Sequence, residues 1–188
     1  MSDLLSERGR ALEDKFFAER DRQLLDAIRL KAEAEQATSA LGEQTGVTDG
    51  PLLTKLVQLG VRVDTLAAFA VVPLLHVAWG DDVLDTSERQ AILLEAASSG
   101  LSSESPAFAL LEAWLTRSPN RDLFVAWRAF HADLVPLLTV EDRQSLADDL
   151  LARCERVARA SGGVFGIGAV SSGERAALAE LKALLSVG

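Results

Sequence analysis

The chain is punctuated for helices from one end to the other. A small side-chain oxygen, able to accept from the first free backbone N–H groups of a helix, recurs just ahead of each segment whose apolar residues fall three and four apart. In "TDGPLL", "SESPAF" and "RSPNRD" a proline follows, where its missing N–H costs nothing, so Pro51, Pro106 and Pro119 are expected to start helices. Asp64, Asp85, Thr139 and Ser171 are the expected openers of others. Gly46, Gly60, Gly100 and the pair Gly162 and Gly163 stand where a left-handed C-terminal cap is wanted. No segment alternates with strict period two. The expectation is an all-α fold, a single multi-helix globular domain of about nine helices led by a long amphipathic one.

That first helix is read over roughly residues 8 to 35 by its pattern of apolar and charged positions. It places Phe17, Leu24 and Ile28 on one stripe among charges of both signs. The polar stretch "ATSALGEQTG" reads as a short helix or linker into the rest, so residues 1–37 are taken as an N-terminal amphipathic extension and 38–188 as the main helical domain. Pro73 in "AVVPLLH" and Pro136 in "DLVPLLT" sit inside helical patterns and are expected to bend them. The repeated "VPLL" raises the idea of two related helical units, on four matching residues only.

Leu and Ala dominate and Tyr is absent, a mixture that favours helix over strand. A net charge of -9 argues against a nucleic-acid backbone or an anionic membrane surface as partner, since both are held through Lys and Arg. The longest apolar run, Leu66 to Trp79, is shorter than the ~20 residues that span a bilayer and reads as a central helix of the core. The N-terminus lacks the apolar stretch of a signal peptide. The lone Cys154 cannot form an internal disulfide and reads as a small buried side chain. A cytoplasmic location is therefore expected, with no transmembrane segment.

One polar break concentrates acids. "HVAWGDDVLDTSERQAILLEAA" carries Asp81, Asp82, Asp85 and Glu88 between two apolar runs. Counted from Asp81 as an EF-hand loop, the third, sixth and twelfth positions are Val83, Thr86 and Ile92, so the required oxygen ligand, Gly and Glu are missing. Asp85 and Glu88 instead have the spacing of a capping box, repeated by Ser171 and Glu174 and approached by Thr139 and Asp142. Asp81 and Asp82 fit less well, being acids at a helix C-terminus, where negative charge is unfavourable. They keep open a cation site of Asp81, Asp82, Asp85 and Glu88, whose hard oxygens suit Ca2+ or Mg2+.

Elsewhere the residues of common catalytic centres are not in pattern. His76 and His131 lie in no HExxH, HxH or Cys/His arrangement, and a hydrogen-bonded core position is the reading for His76. GxSxG is absent. "GGVFGIGAVSSGE" has neither phosphate-loop spacing nor a preceding strand and reads as a connector whose Val164, Phe165 and Ile167 tuck onto the core. Trp79, Trp114 and Trp127 are expected in the core or lining a groove.

"VAWGDDVLDTSERQAIL" resembles the signature of tellurite-resistance TerB-like helical domains, in which an apolar helix ends in an acidic turn, A-D-G-x-[IV]-[DS]-x-x-E, before a new helix. Asp81 matches the first acid, Leu84 the apolar position, Asp85 the cap and Glu88 the final acid; Asp82 replaces the motif's glycine. "GGVFGIGAVSSGERAALAELKALL" is similar to the closing segment of such proteins. The resemblance spans about residues 62–188. It implies an all-helical fold, a link to bacterial stress systems and an acidic metal site, and it does not imply an enzyme.

Two functions follow as expectations. The first is a non-enzymatic helical protein-interaction module, binding other proteins or a second copy of itself through the N-terminal helix. The alternative is a divalent-cation sensor built on the acidic turn 81–88.

Overall fold

Helix formation begins at the N-terminus and governs nearly every described residue. The computed structural model describes residues 2–160 and 170–186, with side chains described at Phe16 and from Glu19 onward within those ranges. Its α-helices are α1 (Ser2–Thr45), α2 (Gly50–Gln58), α3 (Leu66–Phe69), α4 (Val72–Ala78), α5 (Thr86–Ser98), α6 (Pro106–Thr116), α7 (Asp122–Leu134), α8 (Val140–Ala160) and α9 (Ser172–Leu185). Short 3-10 turns, Val63–Thr65 and Val135–Leu137, precede α3 and follow α7. No strand occurs among the described residues, so the chain is all-α. No helix among them is long and apolar enough to cross a membrane.

α4 is the hub. Val72, Pro73, Leu74, Leu75, Val77 and Ala78 are all buried, leaving His76 the single half-buried position of the helix. α5, α7, α8 and α9 pack around it, with α8 also holding α5 and α9. α1 joins α2, which lies on α7, and α3 meets α6. A helix buried on all sides must be apolar all round, which is what "VVPLLHVA" supplies. Cys154 is fully buried on α8, where burial pushes its thiol up to about 12.

The starts at Pro51 and Pro106 form as their sequences indicate. Asp49 Oδ1 accepts from the Leu52 N–H at 3.1 Å, and Ser105 Oγ from the Phe108 N–H at 3.1 Å. Thr139 caps α8 through the Asp142 N–H at 3.1 Å. Gly46, Gly60 and Gly100 take φ of 76°, 87° and 83° at the ends of α1, α2 and α5. Gly162, Gly163, Val164, Phe165 and Ile167 lie outside the described residues.

Four local expectations are corrected. Pro119 lies ahead of its helix: α7 begins at Asp122, whose N–H is taken by Asn120 Oδ1 at 3.0 Å. Asp64 does not cap the central segment; Thr65 Oγ1 accepts from the Arg62 N–H at 2.7 Å and closes the 3-10 turn. Pro73 divides the central helix outright, because a residue without an N–H is accommodated in the first turn of a new helix, α4, more easily than inside an old one. "ATSALGEQT" is neither linker nor separate helix. α1 runs through it to Thr45, since Leu41 is fully buried and Ala34 and Ala37 pack on the core. Thr38 and Thr45 turn their hydroxyls back onto the Ala34 and Leu41 carbonyls, both at 2.8 Å.

The two "VPLL" segments also diverge. Val72–Leu75 starts a buried α-helix, whereas Val135–Leu137 is a 3-10 turn with no buried residue. The same four letters follow their surroundings, since α7 already supplies the helix that the second segment merely closes.

Candidate functional site

The acidic turn is a corner where α4 ends and α5 begins, and α9 starts against it. Asp85 caps α5: its Oδ1 accepts from the Glu88 N–H at 2.8 Å, and Glu88 Oε2 accepts from the Asp85 N–H at 2.9 Å. Ser171 and Glu174 do the same for α9, Ser171 Oγ accepting from the Glu174 N–H at 3.1 Å and Glu174 Oε2 from the Ser171 N–H. Glu88 and Glu174 are buried, 3% and 2% exposed, which is rare for carboxyl groups without partners. They are each other's partners: the two side chains are hydrogen-bonded.

A hydrogen bond between two carboxyl groups needs a proton between them. Burial, above all, pushes Glu88 up to about 8; the Asp85 backbone N–H works against that, and the Glu174 hydrogen bond and the charges of Asp85 and Glu174 add to it. Glu88 therefore carries the shared proton at neutral pH. The N-terminal ends of α5 and α9, both positive by their peptide dipoles, converge on this pair.

Backbone contact makes the pairing possible. A Cβ on Gly173 would lie 2.0 Å from the Gly80 carbonyl oxygen, and one on Gly80 2.7 Å from the Gly173 carbonyl carbon. Only two glycines let the end of α4 and the start of α9 approach so closely. Trp79 and Arg89 fasten the corner to α6, Trp79 Nε1 donating to the Trp114 carbonyl at 3.1 Å and Arg89 Nη1 to the Leu115 carbonyl at 3.3 Å.

The four acids of the turn have separate duties. Asp81 Oδ1 accepts from the Val83 N–H at 3.2 Å, closing the turn. Asp82 is exposed and adopts φ of 64°, the conformation that glycine takes more easily. Asp85 caps α5, and Glu88 is buried against Glu174. Among the described residues no three His, Cys, Asp or Glu side chains are grouped so as to hold a metal ion.

Beside the corner opens a cavity of about 390 Å³, lined by His76, Trp79, Asp82, Phe124, Arg128 and Glu180 among others. His76 lies flat on Phe124, ring centroids 3.6 Å apart and planes 7° apart. Its Nε2 is 3.2 Å from Glu180 Oε2, while Arg128 Nη1 donates to Glu180 Oε1 at 3.0 Å. Burial holds the His76 imidazole below its ordinary value, against the opposing pull of Glu180. The result is a neutral imidazole between an aromatic face and a carboxylate already shared with a guanidinium.

A second polar anchor was not foreshadowed by any motif. Glu95 on α5 takes Arg156 in a two-pronged ion pair, Nε to Oε1 at 2.6 Å and Nη2 to Oε2 at 2.9 Å, and also receives Arg153 Nε at 3.2 Å. The hydrogen bond from Arg156 chiefly holds its carboxyl below the usual range. The signal was present only as an acid on one helix and two arginines on another.

Compared with known proteins, the chain matches no family model, no curated protein and no solved structure.

Proposed function

We propose that this chain is a non-enzymatic helical module that binds another protein through the N-terminal part of α1. One observation carries the reading. From Glu19 to Glu33 every side chain of α1 is exposed, including Leu24, Leu25, Ile28 and Leu30, each more than half exposed, while Leu41 anchors the other end of the helix in the core. That stretch extends roughly 20 Å at 1.5 Å per residue. An isolated helix is marginal in water, and an apolar surface on one is stabilised by lying in a partner's groove.

Several charges of this segment are paired along the helix, Arg29 with Glu33 at 2.9 Å and Arg22 with Glu19 at 3.5 Å, and the segment mixes both signs. Apolar contact rather than net charge is then what a partner would read. Asp81, Asp85 and Glu88 of the acidic corner serve a turn, a cap and the pairing with Glu174, which supports a binding role over a catalytic one. The likeness of the 81–88 turn to the TerB-like signature, with Asp82 left-handed at the motif's glycine position, supports a bacterial stress-response setting.

The test is photo-crosslinking in cells from a benzoylphenylalanine placed at Leu24 or Ile28. Capture of one discrete protein, abolished by L24D together with I28D at unchanged thermal midpoint, is the expected result. No adduct from either position, alongside measurable turnover of a substrate by the purified chain, would overturn it.

A further inference from the structure

A second cavity, of about 370 Å³, lies under the C-terminal end of α1, between α3, α7 and α8. Its floor is apolar and aromatic: Phe69 and Phe130 meet edge to face with centroids 5.5 Å apart beside Leu66, Leu134 and Leu150, and Gln44, Thr45 and Asp149 form its polar side. Trp127 also lines it, with His131 stacked alongside at a centroid distance of 5.1 Å. Volume and lining are those of a pocket for a small molecule.

Two features define what would fit. The first is charge. Arg153, whose side chain is only 13% exposed, is committed to Glu95 through Nε at 3.2 Å and to Asp149 at 3.8 Å, so no cation is spare for an anionic ligand, while the lining Asp149 is 65% exposed to water. An anionic ligand would be desolvated there without compensation, and a cation would meet only the exposed, water-screened carboxylate of Asp149.

The second is His131. Its imidazole is half-buried, burial holds it below its ordinary value, and it has no hydrogen-bond partner among the described residues. Its ring nitrogens are not among the buried polar atoms and so are open to a ligand's polar group. In its neutral form the ring offers one donor and one acceptor.

We propose that this cavity binds a small uncharged aromatic molecule bearing one hydroxyl or ring N–H, its ring lying over the edges of Trp127 and Phe130 and its polar group hydrogen-bonded to His131. Phe and Trp faces and edges suit a flat ring more than a flexible chain. The site is separate from the α1 surface of the proposed partner and from the His76 cavity.

The experiment uses the full chain at pH 7 with 1-naphthol as probe and naphthalene as its match without the hydroxyl. Binding is followed by calorimetry and by aromatic NMR shifts. Saturable one-to-one binding is expected, with shifts at Trp127, Phe130 and His131, and 1-naphthol about tenfold tighter, the worth of one hydrogen bond. H131F, which keeps a ring on Trp127, should bring the two probes to equal affinity, and A70W, at the exposed mouth, should abolish both while leaving the thermal midpoint unchanged.

Absence of saturable binding up to the solubility limit would overturn the proposal, as would binding unaffected by A70W or a preference for 1-naphthol that survives H131F. Shifts at Trp127 that depend on protein concentration without any probe would assign the pocket to a second copy and also overturn it.

Discussion

Glu88 and Glu174 are hydrogen-bonded to each other through buried side chains, although each is the third residue of its own helix and each reaches back to its own cap. One proton thus joins α5 to α9. The folded chain keeps Glu88 protonated up to about 8, whereas the unfolded chain releases that proton near 4.5.

Because the folded state binds more protons than the unfolded state in that window, stability due to this pair falls as pH rises from about 4.5 to about 8 and levels off beyond. His76 and His131, both held below 6.5, act in the opposite direction, so their share of stability is lost as pH falls through that value. Glu95, also lowered, loses its share at more acid pH. The Glu88 slope should therefore be clearest between pH 7 and 8, at no more than about 1.4 kcal/mol per pH unit. E88Q, whose amide can donate to Glu174 and still accept from Asp85, should flatten it. Urea midpoints at half-unit pH steps are the measurement, and an unchanged slope in E88Q would reject the assignment.

Substitution at the crossing of α4 and α9 should be costly out of proportion to its size. G173A places a methyl group on the Gly80 carbonyl, and the backbones must part, which is expected to lower stability by about 2–3 kcal/mol or more. G50A, where an added Cβ meets nothing within 4 Å, should be neutral or slightly stabilising. Denaturant titration of the two alanine variants decides it; equal midpoints would mean the close approach is absent in solution.

Glu95 should behave as a brace between α5 and α8. Its side chain is only 13% exposed and holds two arginines, so E95A leaves Arg153 with its principal partner gone. A loss of about 2 kcal/mol is expected, the scale of hydrogen bonds to charged groups. R156A should lose less, since the exposed arginine leaves Arg153 to satisfy the carboxylate. Chemical denaturation of both variants in low and high salt tests the order; an R156A loss equal to that of E95A would mean that Arg153 adds nothing to the brace.

Millimolar Ca2+ or Mg2+ should leave the thermal midpoint unchanged. Asp81 and Asp85 each hold a backbone N–H, and Glu88 carries a proton that a cation would have to displace. Differential scanning fluorimetry with and without chelator is sufficient. A midpoint that rises with either ion, and does so no longer in D81N with D82N, would place an ion in the turn.

Local chemistry made much of this architecture readable beforehand. Asp49, Ser105, Thr139, Asp85 and Ser171 act within three residues of themselves, and so their role as caps shows in the letters alone. Pro73 announced a disturbance, but whether it bends or divides a helix depends on the neighbours of α3 and α4. The extent of α1 was hidden for a related reason: "ATSALGEQT" is polar, and its helix rests on tertiary packing of Ala34, Ala37 and Leu41. Both capping boxes were visible as separate motifs. Their meeting at Glu88 and Glu174 was not, because it rests on the Gly80 and Gly173 contact, and a distance between backbones leaves no periodic trace.

The crossing of those two glycines also limits how such a protein can change. Where one carbonyl occupies the room another residue's side chain would need, neither position can drift alone. Any transplant of the acidic corner into a different scaffold must import both segments together, at matched depth, or the shared proton loses its second home.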